Sequence, residues 1–222
     1  MPFGFPVSLE LDGRRAIVIG ETAVREGKPS GLISAGAHVV VVASGPAGAL
    51  DALEPEGRAK VLRRGYEAGD LAGAFICIAS SANADEREAI WQESRREGVL
   101  TNIMDDIPHC DWAAPAVIRR GDLILSIATG GKSPALARRV REELSERFGP
   151  EWAEALDILG DVRSQTNPEF PELRDRSRRW LAALDTDELA SLVREGRGGE
   201  ARERLLARLR AAQPDPTTET FH

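Results

Sequence analysis

Hydrophobic residues in the first half of the chain fall in short continuous runs separated by polar segments. Four runs are clear, RRAIVIG, AHVVVVAS, GAFICIASS and VLTNIMDD, and a weaker one surrounds residues 59–62. Continuous runs of this length, rich in Val and Ile, are typical of strands buried on both faces of a parallel sheet. Their alternation with helix-like segments predicts an α/β fold with a Rossmann-like parallel sheet.

Turn residues indicate where the helices of this half begin and end. Pro29 fits the first turn of a short helix that Gly36 ends. A longer helix covers NADEREAIWQESRREG, with Gly98 as its last residue.

The pattern changes after Asp111. PAVIRRGDLILSIAT predicts two strands, 116–119 and 123–128, and the next helix begins with Ser133 as N-cap and Pro134 and ends at Gly149. Helices are then predicted near 151–163, 171–184 and 200–212, and the capping box of Asp185 and Glu188 opens one more. The last ten residues are predicted to be a frayed tail. We therefore expect a Rossmann-like domain over 1–112, a strand-helix dimerisation segment over 113–149 and an all-helical C-terminal domain over 150–222.

Composition narrows the class of protein. The 222 residues are 42% hydrophobic and 29% charged, which is typical of a globular domain. The net charge of −7 argues against a nucleic-acid partner, and no apolar run approaches the roughly 20 residues that span a bilayer. With no recognisable signal peptide and only Cys77 and Cys110, the expected location is the cytoplasm, with no zinc site or disulfide framework.

A glycine turn follows the first predicted strand. Dinucleotide-binding domains place G-x-G-x-x-G/A there, and here the three positions hold Gly20, Thr22 and Arg25. Glu21 adds a negative charge where a pyrophosphate would lie, and Pro29 indicates that the following helix is shortened or shifted. A plain strand-to-helix turn without a ligand is the alternative.

Two other stretches carry candidate chemistry. Asp105 and Asp106 end the fifth predicted strand, where ligands of parallel sheets bind, and a carboxylate there can accept a proton; an acidic turn is the alternative. His109, Cys110 and Asp111 follow and could suggest a metal site, but three consecutive residues cannot all face one metal ion. The helix after TGGKSP offers free N–H groups and Lys132 to an anion, and Arg119, Arg120, Arg138 and Arg139 add positive charge unless they form a solvated face.

Together these stretches resemble the bifunctional precorrin-2 dehydrogenase and sirohydrochlorin ferrochelatase family. The resemblance is carried by LDGRRAIVIG, LISAGA, GAFICIAS, NIMDD, Cys110–Asp111, Pro115 and TGGKSPALARRVREEL, and it covers nearly the whole chain. It implies an intertwined homodimer that binds a tetrapyrrole between its subunits. It also implies NAD-dependent oxidation of precorrin-2 to sirohydrochlorin, and insertion of Fe2+ as a substrate metal to make sirohaem.

The resemblance also implies site residues. The catalytic aspartate of the family falls on Asp105. Cofactor-binding positions fall on Gly20, Thr22, Ala23, Val24, Ser44, Gly45, Ala79, Ser80 and Asn102. The expected tetrapyrrole-binding residues are Thr129, Gly130, Gly131, Lys132, Ser133, Arg119 and Arg120. No bound metal is expected.

Departures from the family pattern cluster on the cofactor side. The family usually has V-G-G-G-x-V-A-x-R-K at the first turn, of which this chain keeps Gly20, Val24 and Lys28, and A-T-D-D where this chain has Ala79-Ser80-Ser81-Ala82. Four hypotheses stay open: an enzyme with both activities, a metal chelatase without dehydrogenase activity, a non-catalytic tetrapyrrole-binding protein, and a generic Rossmann-type protein for another anion.

Overall fold

The computed structural model describes residues 3–45, 50–51, 53 and 59–212. The chain divides between Ala114 and Pro115 into two compact units. The first boundary expected from the sequence lies close to this division, and the second, at 149–150, falls inside the second unit; the three-part division stays a prediction. The predicted frayed tail lies outside the described residues.

The first unit is built on a five-stranded parallel sheet. Its strands run in the order β3-β2-β1-β4-β5, with β1 at Arg15–Ile19, β2 at His38–Val42, β3 at Ala59–Leu62, β4 at Ile76–Ala79 and β5 at Leu100–Ile103. Side chains of β1 alternate between two hydrophobic clusters, with Ala16 and Val18 in one and Ile17 and Ile19 in the other. The sheet is therefore buried on both faces, as the continuous apolar runs predict, and the predicted fold class is confirmed.

Helices of this unit begin and end at the expected residues, with one addition. α1 (Glu21–Arg25) and α2 (Lys28–Ser34) are separated by Gly27, whose φ of 70° breaks a single helix into two. This break confirms the prediction of a shortened or shifted helix. The longer α3 (Ala84–Glu97) begins where the Asn83 side chain accepts hydrogen bonds from two backbone N–H groups, and a 3-10 turn follows β5 at Ile107–His109.

Up to residue 212, where the described part ends, the second unit combines a hairpin with five helices. Strands β6 (Ala116–Arg120) and β7 (Leu123–Ile127) pair antiparallel. The helices are α4 at Pro134–Arg147, α5 at Trp152–Thr166, α6 at Leu173–Ala183, α7 at Thr186–Arg194 and α8 at Gly198–Ala211. A core that includes Ala155, Val162 and Leu209 joins α5 to α8. In the part of the chain that is described, no helix is both long and apolar enough to cross a bilayer.

Two helix caps follow the sequence prediction, one of them in part. Ser133 Oγ accepts the backbone N–H of Leu136 at 3.1 Å and caps α4. Asp185 Oδ1 accepts the N–H of Glu188 at 3.0 Å, which is half of the predicted capping box. The other half is replaced, because the Glu188 carboxylate forms ion pairs with Arg204 and Arg208 of α8.

Candidate active site

The crevice of the sheet opens between the carboxyl ends of β1 and β4, where the strand order reverses. Gly20 follows β1 with φ of 90°, and a Cβ on it would lie 2.0 Å from the backbone oxygen of Ser80, which follows β4. Only glycine fits there, because any side chain would collide with that backbone. Ligands of such sheets bind at this switch point.

Ser80 closes part of this crevice with its own side chain. Its Oγ accepts the backbone N–H of Ala23 at 3.1 Å and donates to the carbonyl of Ile19 at 3.3 Å. One N–H of the glycine turn is thus bonded within the protein. The Ala23 side chain is fully buried and Val24 packs against the core, so these two predicted cofactor positions serve packing, whereas Thr22 is half-buried.

The end of β2 supplies Ser44, which is exposed, and Gly45. A Cβ built on Gly45 would lie 2.9 Å from Glu21 Cγ. The Glu21 side chain therefore extends from the first turn across to the end of β2. Sequence spacing gives no signal for this contact, because the two residues are joined only by the fold.

The carboxyl end of β5 presents Asp105. Its φ of 63° is rare for a residue with a side chain, and the turn is closed by the N–H of Asp106 donating to the carbonyl of Ile103 at 3.1 Å. Asp105 is exposed, and its carboxylate makes no hydrogen bond or ion pair with any residue described in the structure. An exposed carboxylate without a hydrogen-bond partner, on a residue with a strained backbone, is typical of functional sites.

Asp106 has a different role from its neighbour. Its carboxylate accepts a hydrogen bond from Arg87 Nε at 3.0 Å and lies 3.0 Å from His109 Nδ1. The hydrogen bonds from His109 and Arg87 hold the pKa of Asp106 below its usual value. Arg87 also donates to the carbonyl of Ser81 at 2.9 Å, which ties the β4 loop to the β5 turn. The network fixes the turn that carries Asp105, and sequence reasoning missed it.

The Asn102 side chain on β5 makes its contacts within the protein. Its Nδ2 donates to the carbonyl of Trp112 at 2.8 Å and lies 3.6 Å from Cys110 Sγ. This contact folds the segment after the 3-10 turn back against β5. The side chain oxygen of Asn102 remains the group through which its predicted cofactor contact would be made.

The predicted tetrapyrrole-binding residues belong to the second unit. Gly130 and Gly131 have φ of 60° and 77°, and the Thr129 hydroxyl accepts the N–H of Ser133 at 3.3 Å and donates to its carbonyl. This folds the TGGKSP segment into a compact turn before α4. Lys132 is exposed on it. The geometry leaves a cation and glycine N–H groups at the start of a 14-residue helix.

Arg119 and Arg120 differ in what they contact. Arg120 donates to the carbonyl of Phe148 at 2.9 Å and to Ser145 Oγ at 2.8 Å, so it ties β6 to the end of α4. Arg119 is exposed and forms no ion pair within the described ranges. Of the two, Arg119 is the one whose guanidinium is open to an anion. Arg138 and Arg139 pair with Glu142 and Glu143 on the surface of α4, as expected of a solvated face.

Two further features were candidates for a binding site, a metal cluster and a groove in the second unit, and neither involves the predicted site residues that the structure describes. Across the described residues, no group of three or more His, Cys, Asp and Glu side chains could hold a metal ion. A groove of about 730 Å³ lies between α5 and α6, lined by residues such as Leu156 and Trp180, and includes none of the predicted site residues.

Two family models match consecutive parts of the chain. Residues 7–116 match the family described as "Putative NAD(P)-binding", and residues 120–147 match "Sirohaem biosynthesis protein central". In both stretches the chain is similar to proteins of these two families, the second of which is a family of sirohaem biosynthesis. The resemblance inferred from the sequence is thereby confirmed, and the first unit is a domain of the NAD(P)-binding kind.

Curated relatives agree with this family. The chain is 29% identical to a siroheme synthase of Chromobacterium violaceum over 95% of its own length and 45% of the relative. It is 28% identical to siroheme synthase 1 of Serratia proteamaculans over 90% of its length and 42% of the relative. The chain thus spans less than half the length of these curated relatives.

A solved structure shares the fold. SirC, a precorrin-2 dehydrogenase, superposes with a TM-score of 0.61 at 20% sequence identity, covering 94% of this chain and 100% of that one. This match supports the same arrangement of a parallel sheet followed by helices.

The crevice edge of the sheet has features that fit a dinucleotide. A dinucleotide bound to such a sheet contacts the glycine turn and the crevice between the strands, which here are Gly20 and the space between the ends of β1 and β4. Ser44, which is exposed at the end of β2, offers a hydroxyl group. The Glu21 carboxylate lies beside Gly45, on the side of the turn toward β2. These residues fit a dinucleotide cofactor.

Proposed function

We propose that the chain oxidises the tetrapyrrole precorrin-2 to sirohydrochlorin, with NAD+ as electron acceptor, in sirohaem biosynthesis. The observation that carries the proposal is Asp105, an exposed carboxylate that is unpaired among the described residues and is held by a strained turn at the same sheet edge as the Gly20 crevice. A proton acceptor beside a dinucleotide crevice is what the removal of a hydride and a proton requires.

The reaction removes two electrons and two protons, and one of these protons leaves together with both electrons as a hydride. When bound, NAD+ supplies the hydride acceptor. Asp105 accepts the second proton, which the macrocycle loses as the new double bond forms, so the products are sirohydrochlorin, NADH and the protonated carboxyl group. Arg87 and His109 hold Asp106 in place and thereby fix the turn, so that Asp105 alone of the two aspartates is free to take the proton.

The substrate carries many carboxylates, which need cationic and N–H donors. The turn that contains Gly130, Gly131 and Lys132 provides both, and the exposed Arg119 adds a planar guanidinium. We assign these residues, with Thr129 and Ser133, to binding of the substrate carboxylates.

The functional unit in this proposal is a homodimer. Val117 and Ile124 lie on the outer face of the β6-β7 hairpin, 42% and 45% exposed, and Leu136 on α4 is 54% exposed. Exposed apolar side chains on two neighbouring elements are typical of a surface that binds another chain. A second copy of this chain is the partner that the proposal assigns.

A second candidate function is insertion of Fe2+ into sirohydrochlorin, which needs no nucleotide. It is favoured by the bond between Ala23 N–H and Ser80 Oγ, because a glycine turn with that N–H engaged has fewer donors for a diphosphate. Asp105 would then accept protons from the pyrrole nitrogens as the metal enters.

The two functions are tested with the same protein under anaerobic conditions. Precorrin-2 with and without NAD+, and sirohydrochlorin with Fe2+ or Co2+ without nucleotide, are followed by absorption spectra. Dehydrogenation is expected only with NAD+, and Asp105→Asn and Asp105→Ala should lower its rate on the order of a hundredfold or more. Glu97→Gln, at the last residue of α3 and before the amino end of β5, is the control and should keep the rate.

The outcomes separate the hypotheses. An unchanged rate in Asp105→Ala removes the proton-transfer role of Asp105. Metal insertion without dehydrogenation would replace the first function with the second. Tetrapyrrole binding with neither reaction would identify a binding protein.

A further inference from the structure

The end of β2 lacks the acidic residue that dinucleotide-binding domains usually place there. In such domains a carboxylate about 20 residues after the glycine turn accepts hydrogen bonds from the ribose of NAD, and an arginine nearby accommodates the extra phosphate of NADP. Here the segment ASGPAGA follows Val42, and it contains no charged residue. The usual ribose ligand is therefore missing from its usual position.

Glu21, the first residue of α1, brings a carboxylate to the same place from the turn after β1. An added Cβ on Gly45 would lie 2.9 Å from Glu21 Cγ, 3.0 Å from Cδ and 3.3 Å from Oε1. The φ of Gly45 is not in the left-handed region, so the backbone does not require a glycine there. What the missing side chain provides is room for Glu21. Glu21 is exposed, and its carboxylate forms no ion pair within the part of the chain that the structure describes.

The arginines at this edge are paired with acidic residues. Arg63 and Arg64 follow β3, the neighbour of β2. Arg63 forms an ion pair with Asp51, and Arg64 donates to the two carboxylate oxygens of Asp70 at 2.8 and 2.6 Å. A phosphate on the ribose would meet the Glu21 carboxylate and two arginines whose charges are already compensated.

We propose that Glu21 selects NAD over NADP, with its carboxylate accepting hydrogen bonds from the ribose diol and repelling a 2′-phosphate. This rests on the proposed function, because it assigns a residue to the cofactor of that reaction. Glu21 takes the role of the acid at the end of β2, and Gly45 makes the space for it.

Calorimetric titration of the full chain with NAD+ and with NADP+ tests this without any turnover. The unmodified protein is expected to bind NAD+ on the order of tenfold or more tighter than NADP+, which corresponds to one charge-assisted hydrogen bond. Glu21→Gln keeps the shape, removes the charge, and should bring the two affinities within about threefold of each other. Gly45→Ala should shift the ratio in the same direction, because its methyl group displaces the Glu21 side chain.

Glu26→Gln is the matched control. It removes one negative charge from the end of α1, where Glu26 pairs with Lys28 at 3.3 Å, and should leave the ratio unchanged. A ratio that Glu21→Gln leaves unchanged, or a preference for NADP+, overturns the assignment while cofactor binding stands. If no variant binds either nucleotide at millimolar concentration, both the assignment and the NAD-dependent function fail. If Glu21→Gln gains binding that the unmodified chain lacks, Glu21 blocks the site and the assignment is wrong.

Discussion

Glu93 Oε1 of α3 accepts the backbone N–H of Leu71 at 2.9 Å, although the glutamate is only 2% exposed. The same oxygen accepts the N–H of Gly69 at 3.1 Å, and the other oxygen accepts the hydroxyl of Tyr66. Burial, reinforced by Glu93, raises the pKa of that phenol. A buried side chain thus satisfies the backbone of the loop between β3 and β4.

Replacing Glu93 should destabilise the first unit. Glu93→Ala leaves two backbone donors and a hydroxyl without a partner, and we expect a loss of roughly 2–4 kcal/mol in the free energy of unfolding. Glu93→Gln keeps one acceptor oxygen and should lose less. Urea denaturation followed by tryptophan fluorescence measures both, with exposed Glu97→Gln as control. A Glu93→Ala variant as stable as that control would contradict the role of Glu93.

Gly20→Ala should damage both stability and nucleotide binding. The new Cβ would lie 2.0 Å from the Ser80 carbonyl oxygen at φ of 90°, so the turn must move, at a cost of roughly 2–3 kcal/mol. Gly31→Ala is the matched change in α2, where nothing lies within 4 Å, and should stabilise by about 0.5–1 kcal/mol. Thermal unfolding and NAD+ titration compare the two. Equal melting temperatures would show that the turn is looser than described.

The pair of Arg64 and Asp70 predicts a pH dependence. The hydrogen bond from Arg64 holds the pKa of Asp70 below its usual value, against a smaller opposing effect of burial. Because the folded pKa is the lower one, the pair stabilises above the unfolded pKa of about 4 and loses this contribution as pH falls through the folded value. Asp70→Asn should cost about 1 kcal/mol at neutral pH, reduced by the partial exposure of Arg64. Urea midpoints of the two proteins should converge at acid pH, and a constant difference would contradict the linkage.

The two thiols should react at different rates. Cys77 is fully buried in the sheet, and burial raises its pKa. Cys110 is half-buried, burial raises its pKa, and its Sγ donates a hydrogen bond to the carbonyl of Ile103 at 3.1 Å. In the native protein a disulfide reagent should modify Cys110 slowly and Cys77 only after unfolding. Cys110→Ser removes the native reaction, and a native reaction that persists in it would be unexpected.

The proposed dimer depends on the outer face of the hairpin. Val117→Lys with Ile124→Lys places two charges on that face and should convert a dimer to a monomer, with the fold retained by circular dichroism. Leu181→Lys, on α6, alters a side chain that is 74% exposed and is the control. Light scattering after size-exclusion chromatography measures the mass. A doubly substituted protein that stays dimeric would move the interface elsewhere.

Much of the fold could be predicted from local signals. The run ICIA gives β4, Gly98 ends α3 with φ of 68°, and Ser133 caps α4, because each depends on residues only a few positions apart. α1 was missed because five residues after a glycine turn have too little periodicity to distinguish a helix from a loop. The sequence also gives no means of telling the roles of Asp105 and Asp106 apart. They differ only in the structure, where the Asp106 carboxylate contacts Arg87 and His109.

The sequence by itself determined the resemblance to sirohaem biosynthesis proteins, the parallel sheet, the place of the glycine turn and the aspartate that follows β5. These features follow from short apolar runs and turn residues, because the conformation of such segments depends on residues only a few positions apart. Only the tertiary structure decided that Glu21 contacts Gly45 and that Ser80 accepts the N–H of Ala23. It also decided that, within the described ranges, the Asp106 carboxylate has partners while that of Asp105 has none. Those relationships join residues of different strands and loops, and their distances exist only after the sheet has formed.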